Sequence, residues 1–241
     1  MMHASQESWS HDEFTERLRT VGRDHYHDKH PFHALMNRGE LDREQLRVWA
    51  ANRFYYQKNI PIKDAILLSR IPHRDLRQKW IQRIIDHDGT PTEVGGIEKW
   101  LRLGEAMGLS RDDIEGDSLL LPGVRYAVDA YVEFVRTRPW VEAVASSLTE
   151  LFAPALMAQR LSAFEKYYTW IDKDGLAYFR ARLTQAPRDS EHGLAVVLEH
   201  CTTPEVQRKA VAALKFKCDL LWAQLDALYY YCVFSRNSTD A

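Results

Sequence analysis

Signals that begin and end α-helices recur along the whole of this 241-residue sequence, whereas the alternation typical of half-buried β-strands is nowhere sustained. Ser10, followed three residues later by Glu13, forms a capping box, and Asp42 is a second N-cap. Thr203-Pro204-Glu205 combines a cap, a first-turn proline and an acidic first turn. No internal repeat is visible. The sequence therefore predicts an all-α protein, a compact helical bundle.

The helix boundaries follow from caps, glycines and prolines. In chain order, helices are expected from Ser10 to near Gly22, from Pro31 to Gly39, from Asp42 to Ser69 with a kink at Pro61, from Pro72 to Asp88, from Ile97 to Met107, from Val124 to Arg138, from Trp140 to Phe152, from Pro154 to Tyr168, from Leu176 to Ala186, from Ser190 onward, and from Thr203 as far as Arg236. Pro187 is expected to end the helix before it.

The size of the chain predicts one helical domain over residues 1–241, with flexible termini at about 1–9 and 237–241. Its 45% hydrophobic content is enough for one large core. The 32 basic and 34 acidic residues give a formal net charge of −2, which does not indicate a nucleic-acid partner. Any positively charged site must therefore be local.

The cysteines and the N-terminus indicate a cytoplasmic protein. Cys201, Cys218 and Cys232 have neither disulfide-framework nor metal-ligand spacing, so we expect them to be reduced and packed. The first ten residues lack the basic flank and apolar run of a secretory signal. No uninterrupted apolar stretch of membrane-spanning length is evident, because Asp226 interrupts the most apolar C-terminal segment. No membrane partner is predicted.

The segment Asn52–Asp64 carries more polar groups than a core helix can hide. At helical spacing, Arg53, Tyr56, Gln57 and Ile60 share one side. A guanidinium, a phenol and a carboxamide on one stripe are costly to bury without partners. Taken alone, the stripe would be interpreted as an ordinary solvated face that ends near a proline.

Several other helices contribute one or two polar residues among apolar neighbours, and a helical bundle brings such residues into a shared cavity. The full set is Tyr26, His27, Arg53, Tyr56, Gln57, Arg83, His87, Tyr131, Glu150, Arg160, Tyr178, Arg182 and Lys217. For any single arginine, a surface salt bridge is the ordinary explanation. Together they predict a cavity rich in cations and poor in carboxylates, which favours a ligand with several carboxylates.

The sequence does not favour a metal site. His27, His30 and His33 recur every third residue, but Pro31 breaks the helical face they would share. Di-iron bundles use Glu-x-x-His, which is absent here, and aspartate is short for that role in Asp24-x-x-His27 and Asp189-x-x-His192. A metal-dependent oxidase or oxygenase on the same scaffold remains the second hypothesis.

Long strings along nearly the whole chain resemble the pyrroloquinoline-quinone synthase family. They are Asn52–Gln57, Ile60–Asp64, Arg83–Gly89, Gly95–Glu105, Leu121–Arg125, Ser147–Pro154 and Phe216-Lys217. The resemblance implies a seven-helix fold like that of haem oxygenase, a homodimer, and no metal or organic cofactor. It also implies ring closure and dioxygen-dependent oxidation of a tricarboxylate quinone precursor, with release of hydrogen peroxide and pyrroloquinoline quinone. Other proteins of that pathway are implied as candidate partners.

The resemblance implies roles for the same residues. The cations at positions matching the family's substrate-binding set are Arg53, Arg83, Arg160, Arg182 and Lys217. The implied proton carriers are His27 and His87, since imidazole titrates near neutral pH. The implied donors to quinone and peroxide oxygens are Tyr26, Tyr131 and Tyr178. The residues implied to position the ring are Tyr56, Gln57 and Glu150. Catalysis is assigned to His27, His87, Tyr131, Tyr178 and Arg182.

The sequence departs from the family in the Phe152–Met157 stretch. The family generally has a histidine where this chain has Met157, and a thioether neither exchanges a proton nor donates a hydrogen bond. The chain also ends soon after Arg236, without the longer tail of some relatives. A non-catalytic binder of a quinone therefore remains a third hypothesis, alongside slower turnover or a related substrate.

Overall fold

The computed structural model describes residues 7–116 and 118–235, and over these residues the chain forms eleven α-helices and no β-strand. The helices are α1 (His11–His25), α2 (Pro31–Arg38), α3 (Arg43–Arg70), α4 (Arg74–Asp88), α5 (Gly96–Ala106), α6 (Arg111–Glu115), α7 (Pro122–Thr137), α8 (Trp140–Ser146), α9 (Ala153–Tyr167), α10 (Ala177–His200) and α11 (Pro204–Tyr229). The all-α prediction is confirmed. Seven of these helices have 15 or more residues, the number that the resemblance implies.

Shorter segments join these helices. Three are 3-10 turns, at His27–Lys29, Ser147–Leu151 and Lys173–Leu176. A π-helical segment, Tyr230–Phe234, extends α11. The predicted helix to Arg236 therefore changes its hydrogen-bond pattern after Tyr229, and Arg236 itself lies outside the described residues.

The two longest helices organise the bundle. Helix α3 packs against α4, α5 and α7, while α11 packs against α1, α7 and α8, and α10 lies along α9. The indoles of Trp49 in α3, Trp80 in α4 and Trp100 in α5 are fully buried in the core. Trp49 and Trp100 have ring centroids 5.4 Å apart, a contact distance typical of aromatic pairs. The polar stripe of α3 consequently faces the interior.

The predicted caps of the long helices are present. Asp42 accepts a hydrogen bond from the Gln45 backbone N–H, and the Gln45 side chain accepts one from the Asp42 N–H, both at 2.8 Å. The Thr203 hydroxyl accepts from the Val206 N–H at 3.3 Å. These contacts satisfy donors that a helix leaves free in its first turn. Local sequence therefore sets where α3 and α11 begin.

Two prolines lie inside helices. Helix α3 continues past Pro61, as expected. Pro187 does not end a helix: α10 runs from Ala177 to His200 with Pro187 inside it, so the predicted break before Ser190 is wrong. A proline removes one backbone donor, and the packing of α10 along α9 offsets that loss. The Ser190 hydroxyl also donates to the Pro187 carbonyl at 2.9 Å.

Two other predicted boundaries differ. Helix α1 ends at His25 rather than near Gly22, because the Tyr26 N–H still donates to the Gly22 carbonyl. The helix predicted over 140–152 is α8 followed by a 3-10 turn. The Ser146 hydroxyl donates to the Ala143 carbonyl at 2.7 Å there, and such side-chain bonds compete with the helical backbone pattern.

The predicted flexible termini lie mainly outside the described residues. Within them, the Trp9 backbone N–H donates to Gln207 Oε1 at 2.8 Å. By length and composition alone, the stretch Trp140–Tyr167 could cross a membrane, which inspection of the sequence did not predict. In the structure 61% of its most apolar window is buried inside the protein. The three cysteines are buried and free, as expected.

Candidate active site

Three adjoining cavities lie in the middle of the bundle. The largest, the central chamber, has a volume of about 40 Å³. Its walls include Tyr56 of α3, Glu150 of the 3-10 turn after α8, Met157 of α9, and Tyr178 and Arg182 of α10. Elements far apart in sequence thus meet around one enclosed space, which is typical of ligand sites in helical bundles.

Two smaller chambers adjoin the central one. The inner chamber, about 10 Å³, lies between Trp49, Arg160 and Gln224 and shares His27 and Arg53 with the central chamber. The side chamber, about 20 Å³, shares several wall residues with the central chamber. Its other walls are Lys63, Asp64, Arg83, Tyr131, Ser147 and Asp189.

The five predicted cations all lie in the interior of the bundle. Arg83, Arg160, Arg182 and Lys217 are buried. Arg53 is half-buried, and its guanidinium lies 3.9 Å from the centroid of the Tyr56 ring. The five residues come from α3, α4, α9, α10 and α11, so the bundle brings them together. That they bind an anion stays a prediction.

Arg182 is the best-paired cation of the set. Its Nη2 atom donates to Glu150 Oε2 in a short contact, and its Nη1 atom lies 3.5 Å from Asp189 Oδ2. Burial opposes the charged form, but Glu150, Tyr178 and Asp189 together raise the pKa of Arg182. The neighbouring Arg83 donates to the Asp189 carbonyl oxygen at 2.5 Å. These contacts hold the guanidinium of Arg182 at the wall of the central chamber.

Lys217 has a very different environment. Its side chain is 1% exposed, and its Nζ atom lies 3.4 Å from the Tyr131 ring centroid and 4.2 Å from that of Tyr56. No hydrogen-bond partner for Nζ exists among the described residues. Burial, followed by the charges of Arg53 and Lys63, lowers the pKa of Lys217 well below its usual value. An anion beside Lys217 would favour its protonated form.

A buried ion pair beside these residues was not predicted from the sequence. Lys63 Nζ lies 2.6 Å from Asp64 Oδ1 and donates to Ser147 Oγ at 3.2 Å. Asp64 Oδ1 also accepts from Trp80 Nε1 at 3.0 Å. Ser147 Oγ lies 3.4 Å from the Tyr131 hydroxyl. Burial opposes the charge of Lys63, but Asp64 and Tyr131 raise its pKa.

Three buried histidines line the chambers in neutral form. Burial, followed by nearby positive charges, lowers the pKa of His27, His33 and His87 below the usual value. His87 Nδ1 lies 3.0 Å from the Arg83 carbonyl, so this nitrogen carries the proton and Nε2 keeps its lone pair. His33 Nδ1 donates likewise to the His27 carbonyl at 2.9 Å. A neutral imidazole of this kind can accept a proton.

Three phenols of the chambers stay protonated. Burial raises the pKa of Tyr26, Tyr56 and Tyr178 above the usual value for tyrosine. The Tyr178 hydroxyl donates to Gln57 Oε1 at 2.9 Å, which places the carboxamide behind the chamber wall. A protonated phenol is a hydrogen-bond donor to a ligand oxygen and not a base.

Met157, the residue that departs from the family pattern, lies at the candidate active site. Its side chain is 8% exposed and lines the central chamber together with Leu156 and Ala153 of the same helix. A thioether at this position makes one wall of the chamber apolar. The imidazoles that line this chamber are those of His27 and His87.

The histidines near the N-terminus are held by other groups. His30 Nδ1 accepts from the Phe32 N–H at 3.0 Å, and its Nε2 atom lies 3.0 Å from Asp226 Oδ1. The Nε2 atom of His33 lies 2.8 Å from Arg160 Nη2. Among the residues that the structure describes, no group of three or more His, Cys, Asp or Glu side chains could hold a metal ion.

Eleven of the thirteen predicted site residues line the three chambers. The other two, Gln57 and Lys217, contact Tyr178 and Tyr131 respectively. The sequence reasoning missed several chamber residues, namely His33, Lys63, Asp64, Ser147, Thr149, Asp189 and Gln224. Of these, the sequence suggested His33 and Asp189 only as metal ligands, and it included Lys63, Asp64, Ser147 and Thr149 only in the strings that resemble the family.

The family of the chain follows from sequence comparison. Residues 15–227 match the model of the TENA/THI-4/PQQC family. The chain is 56% identical over 216 residues to the pyrroloquinoline-quinone synthase of Pseudomonas syringae pv. tomato, with 90% of this chain and 86% of that protein covered. It is 52% identical to the enzyme of that name from Granulibacter bethesdensis, with 94% and 89% covered.

Solved structures with low sequence identity share the fold. A domain of unknown function with a haem-oxygenase-like fold from Shewanella denitrificans superimposes with a TM-score of 0.73 at 14% identity, covering 93% of this chain and 92% of that one. A TenA homologue from Pseudomonas syringae pv. tomato gives 0.73 at 12% identity, covering 95% and 99%. The predicted haem-oxygenase-like architecture is thus confirmed, and the chain belongs to the TENA/THI-4/PQQC family.

Proposed function

We propose that this protein is a pyrroloquinoline-quinone synthase that closes a ring in a tricarboxylate quinone precursor and oxidises it with dioxygen. Hydrogen peroxide and pyrroloquinoline quinone are the products. The names of relatives at 52–56% identity support an enzymatic role in pyrroloquinoline quinone biosynthesis. The proposal includes catalysis without a metal or organic cofactor, a cytoplasmic location and a homodimeric assembly.

One observation about charge carries the proposal. Three carboxylates line the chambers, and each is matched by a cation: Glu150 and Asp189 by Arg182, and Asp64 by Lys63. In the part of the chain that the structure describes, Arg53, Arg160 and Lys217 have no carboxylate partner. Unpaired buried cations are costly, and a ligand with several carboxylates would supply the missing charge.

The site has the groups that the chemistry requires. Ring closure forms one bond within the precursor: the attacking atom loses a proton, and the electron pair of the π bond to which it adds moves onto a quinone oxygen. The neutral imidazoles of His87 and His27 face the central chamber and can accept that proton. Burial and Arg182 keep His87 neutral by lowering its pKa. Lys217 and the arginines would hold the carboxylates while this occurs.

Oxidation then requires the ring itself to act as reductant. Each two-electron step removes two electrons and two protons from the ring, and one dioxygen accepts them to give one hydrogen peroxide. Deprotonation by an imidazole makes the ring electron-rich. Tyr26 and Tyr131 are phenols around the chambers, Tyr178 would turn its hydroxyl from Gln57 to a ligand oxygen, and Arg182 is a nearby cation. Such groups stabilise negative charge that develops on ring and peroxide oxygens.

The test is anaerobic mixing of the purified protein with the tricarboxylate precursor, followed by admission of air. A reduced, coloured species is expected to form without oxygen and to persist until oxygen arrives. The quinone spectrum and peroxide should then appear together. Protein treated with a chelator and checked for metal content serves as the parallel sample, and it should turn over at the same rate.

Two outcomes would contradict the proposal. If the precursor is not consumed under air, the protein is not this enzyme. If consumption stops when iron or another metal is removed and returns when it is restored, the metal-dependent alternative replaces the proposal of catalysis without a cofactor.

The second candidate function is a binder of a quinone without turnover, and Met157 favours it. The family generally has a proton-carrying histidine at this position, and here an apolar side chain lines the chamber instead. A pure binder would bind the precursor with high affinity and release no peroxide under air. The same experiment therefore distinguishes the two.

A further inference from the structure

The inner chamber is lined by hydrogen-bonding groups that the protein itself does not use. His27 Nδ1, Arg160 Nε and Gln224 Nε2 are buried without a hydrogen-bond partner among residues 7–116 and 118–235. All three side chains line the same chamber. Buried polar atoms are nearly always paired, so three unpaired nitrogens around one cavity indicate a ligand with acceptor atoms.

Gln224 is the member of this group that its neighbours orient most clearly. Its side chain is 3% exposed, and its Oε1 atom accepts a hydrogen bond from Arg53 Nη1 at 3.3 Å. The reverse orientation would place two donors against each other, because a guanidinium has no acceptor. The amide nitrogen must therefore point away from Arg53, and no described residue accepts from it.

The remaining walls restrict the kind of ligand. Trp49, Val124, Leu225 and Leu228 make much of the inner chamber apolar, and no Asp or Glu is among its described lining residues. Arg53 and Arg160 supply positive charge. His33 holds Arg160 in place through the 2.8 Å contact of its Nε2 atom with Nη2. The inner chamber has room for about one water-sized atom, which suits a single carboxylate oxygen of a ligand.

We propose that Gln224 is a specificity-determining residue whose amide N–H donates to one carboxylate of the substrate, which enters the inner chamber between Arg53 and Arg160. This inference rests on the proposed function, because it takes the substrate to be a polycarboxylate. The carboxamide has two roles: Oε1 positions Arg53, and Nε2 recognises a carboxylate oxygen. The inner chamber would thereby distinguish a charged carboxylate from a neutral ester at that position.

The experiment measures binding without turnover. Titration calorimetry with pyrroloquinoline quinone, and with its trimethyl ester, is compared for the unaltered protein, Gln224→Met and Gln207→Met. Gln207 is the matched control because it lies on the same helix, is equally buried and bonds to the Trp9 backbone away from the chambers. Removing a hydrogen bond to a charged group should weaken binding of the acid by about tenfold to a hundredfold in Gln224→Met.

The expected pattern has three parts. Gln224→Met should lose affinity for the acid but little affinity for the ester. Gln207→Met should keep the affinity of the unaltered protein. The melting temperatures of the variants show whether a loss of binding is caused by unfolding. Equal affinity of Gln224→Met and unaltered protein for the acid would overturn the inference. If the protein binds the acid but does not turn over the precursor, the proposed enzymatic function is wrong. The comparison of the two variants then still decides the inference about Gln224. No binding of the acid to the unaltered protein would overturn both.

Discussion

The Nζ atom of Lys217 lies 3.4 Å from the centroid of the Tyr131 ring, inside a pocket of aromatic faces with no carboxylate partner among the described residues. Burial, followed by the charges of Arg53 and Lys63, disfavours the charged amine and lowers the pKa of Lys217 well below its usual value. An amine of this kind destabilises the fold slightly and becomes useful only when an anion arrives. We therefore expect Lys217 to link ligand binding, proton uptake and stability.

Replacing Lys217 with methionine should stabilise the free protein and abolish tight binding. Removing a buried, unpaired amine is worth about 1–3 kcal/mol, whereas the precursor loses a cation and should bind at least about tenfold more weakly. Urea unfolding and calorimetry measure the two effects.

The matched variant for this prediction is Lys63→Met. Lys63 is paired with Asp64 at 2.6 Å, so its loss leaves a buried carboxylate uncompensated and should cost about 3–5 kcal/mol. If Lys217→Met binds the precursor as tightly as the unaltered protein, Lys217 is not part of the anion site.

Precursor binding should be coupled to the uptake of a proton by Lys217. A carboxylate beside Lys217 raises a pKa that burial has lowered in the free protein, so the amine becomes protonated as the ligand enters. The measured binding enthalpy should therefore vary with the ionisation enthalpy of the buffer. Lys217→Met should lose this dependence, and a dependence that persists in the variant would assign the proton to another group.

Part of this organisation could be predicted from the sequence. The stripe of Arg53, Tyr56 and Ile60 follows helical spacing, and all three line the central chamber. Caps such as Asp42 mark helix starts, because they act within one turn. Which helices converge on one cavity depends on tertiary packing. The resemblance to the family, rather than local sequence, indicated which residues meet there.

The parts that could not be predicted depend on contacts far apart in sequence. Lys63 and Asp64 are consecutive, so helical periodicity would place them on different faces, yet both are buried where α3 meets α4 and the Ser147–Leu151 turn. Pro187 was expected to end a helix, and packing against α9 overrides that local preference.

Acid should destabilise the protein as its buried histidines are forced to take up protons. The pKa values of His27, His33 and His87 are lowered in the folded state, so the unfolded chain binds protons first as the pH falls through about 6.5. The free energy of unfolding should fall by up to about 1.4 kcal/mol per pH unit for each histidine. Urea unfolding at pH 7.5, 6.0 and 5.0 measures this slope, and a flat profile would contradict it.

The lowered pKa values of His27 and His87 also predict the pH range in which activity is lost. Because His27 and His87 stay neutral below their usual pKa, the acid limb of kcat/KM should lie below pH 6.5. His87→Asn should bind the precursor and stall its oxidation. A variant that retains both turnover and the acid limb would show that His87 carries no proton in the reaction.

Tyr178→Phe should separate binding from oxidation. The phenol donates to Gln57 at 2.9 Å, and its ring lies 4.9 Å from that of Trp100, so phenylalanine keeps the packing and removes only the O–H. Oxidation under air should slow by about a hundredfold to a thousandfold, while precursor affinity stays within about threefold. Tyr168→Phe, whose buried hydroxyl donates to the Met36 carbonyl, is the control and should leave the rate of oxidation unchanged.

Met157 offers a test in the direction of higher activity. It lines the central chamber beside His27 and His87, and its thioether supplies no proton there. Met157→His would add an imidazole to the chamber wall, and the cations nearby would favour its neutral form.

We therefore expect Met157→His to raise kcat for precursor oxidation by about tenfold or more, which is within the usual contribution of one proton-transferring group. Met157→Leu conserves volume without adding such a group, so its kcat should stay within about twofold of the unaltered protein. Peroxide release under air measures both variants. If histidine gives no gain over leucine, the residues already present supply every proton transfer that limits the rate, and the methionine is only part of the chamber wall.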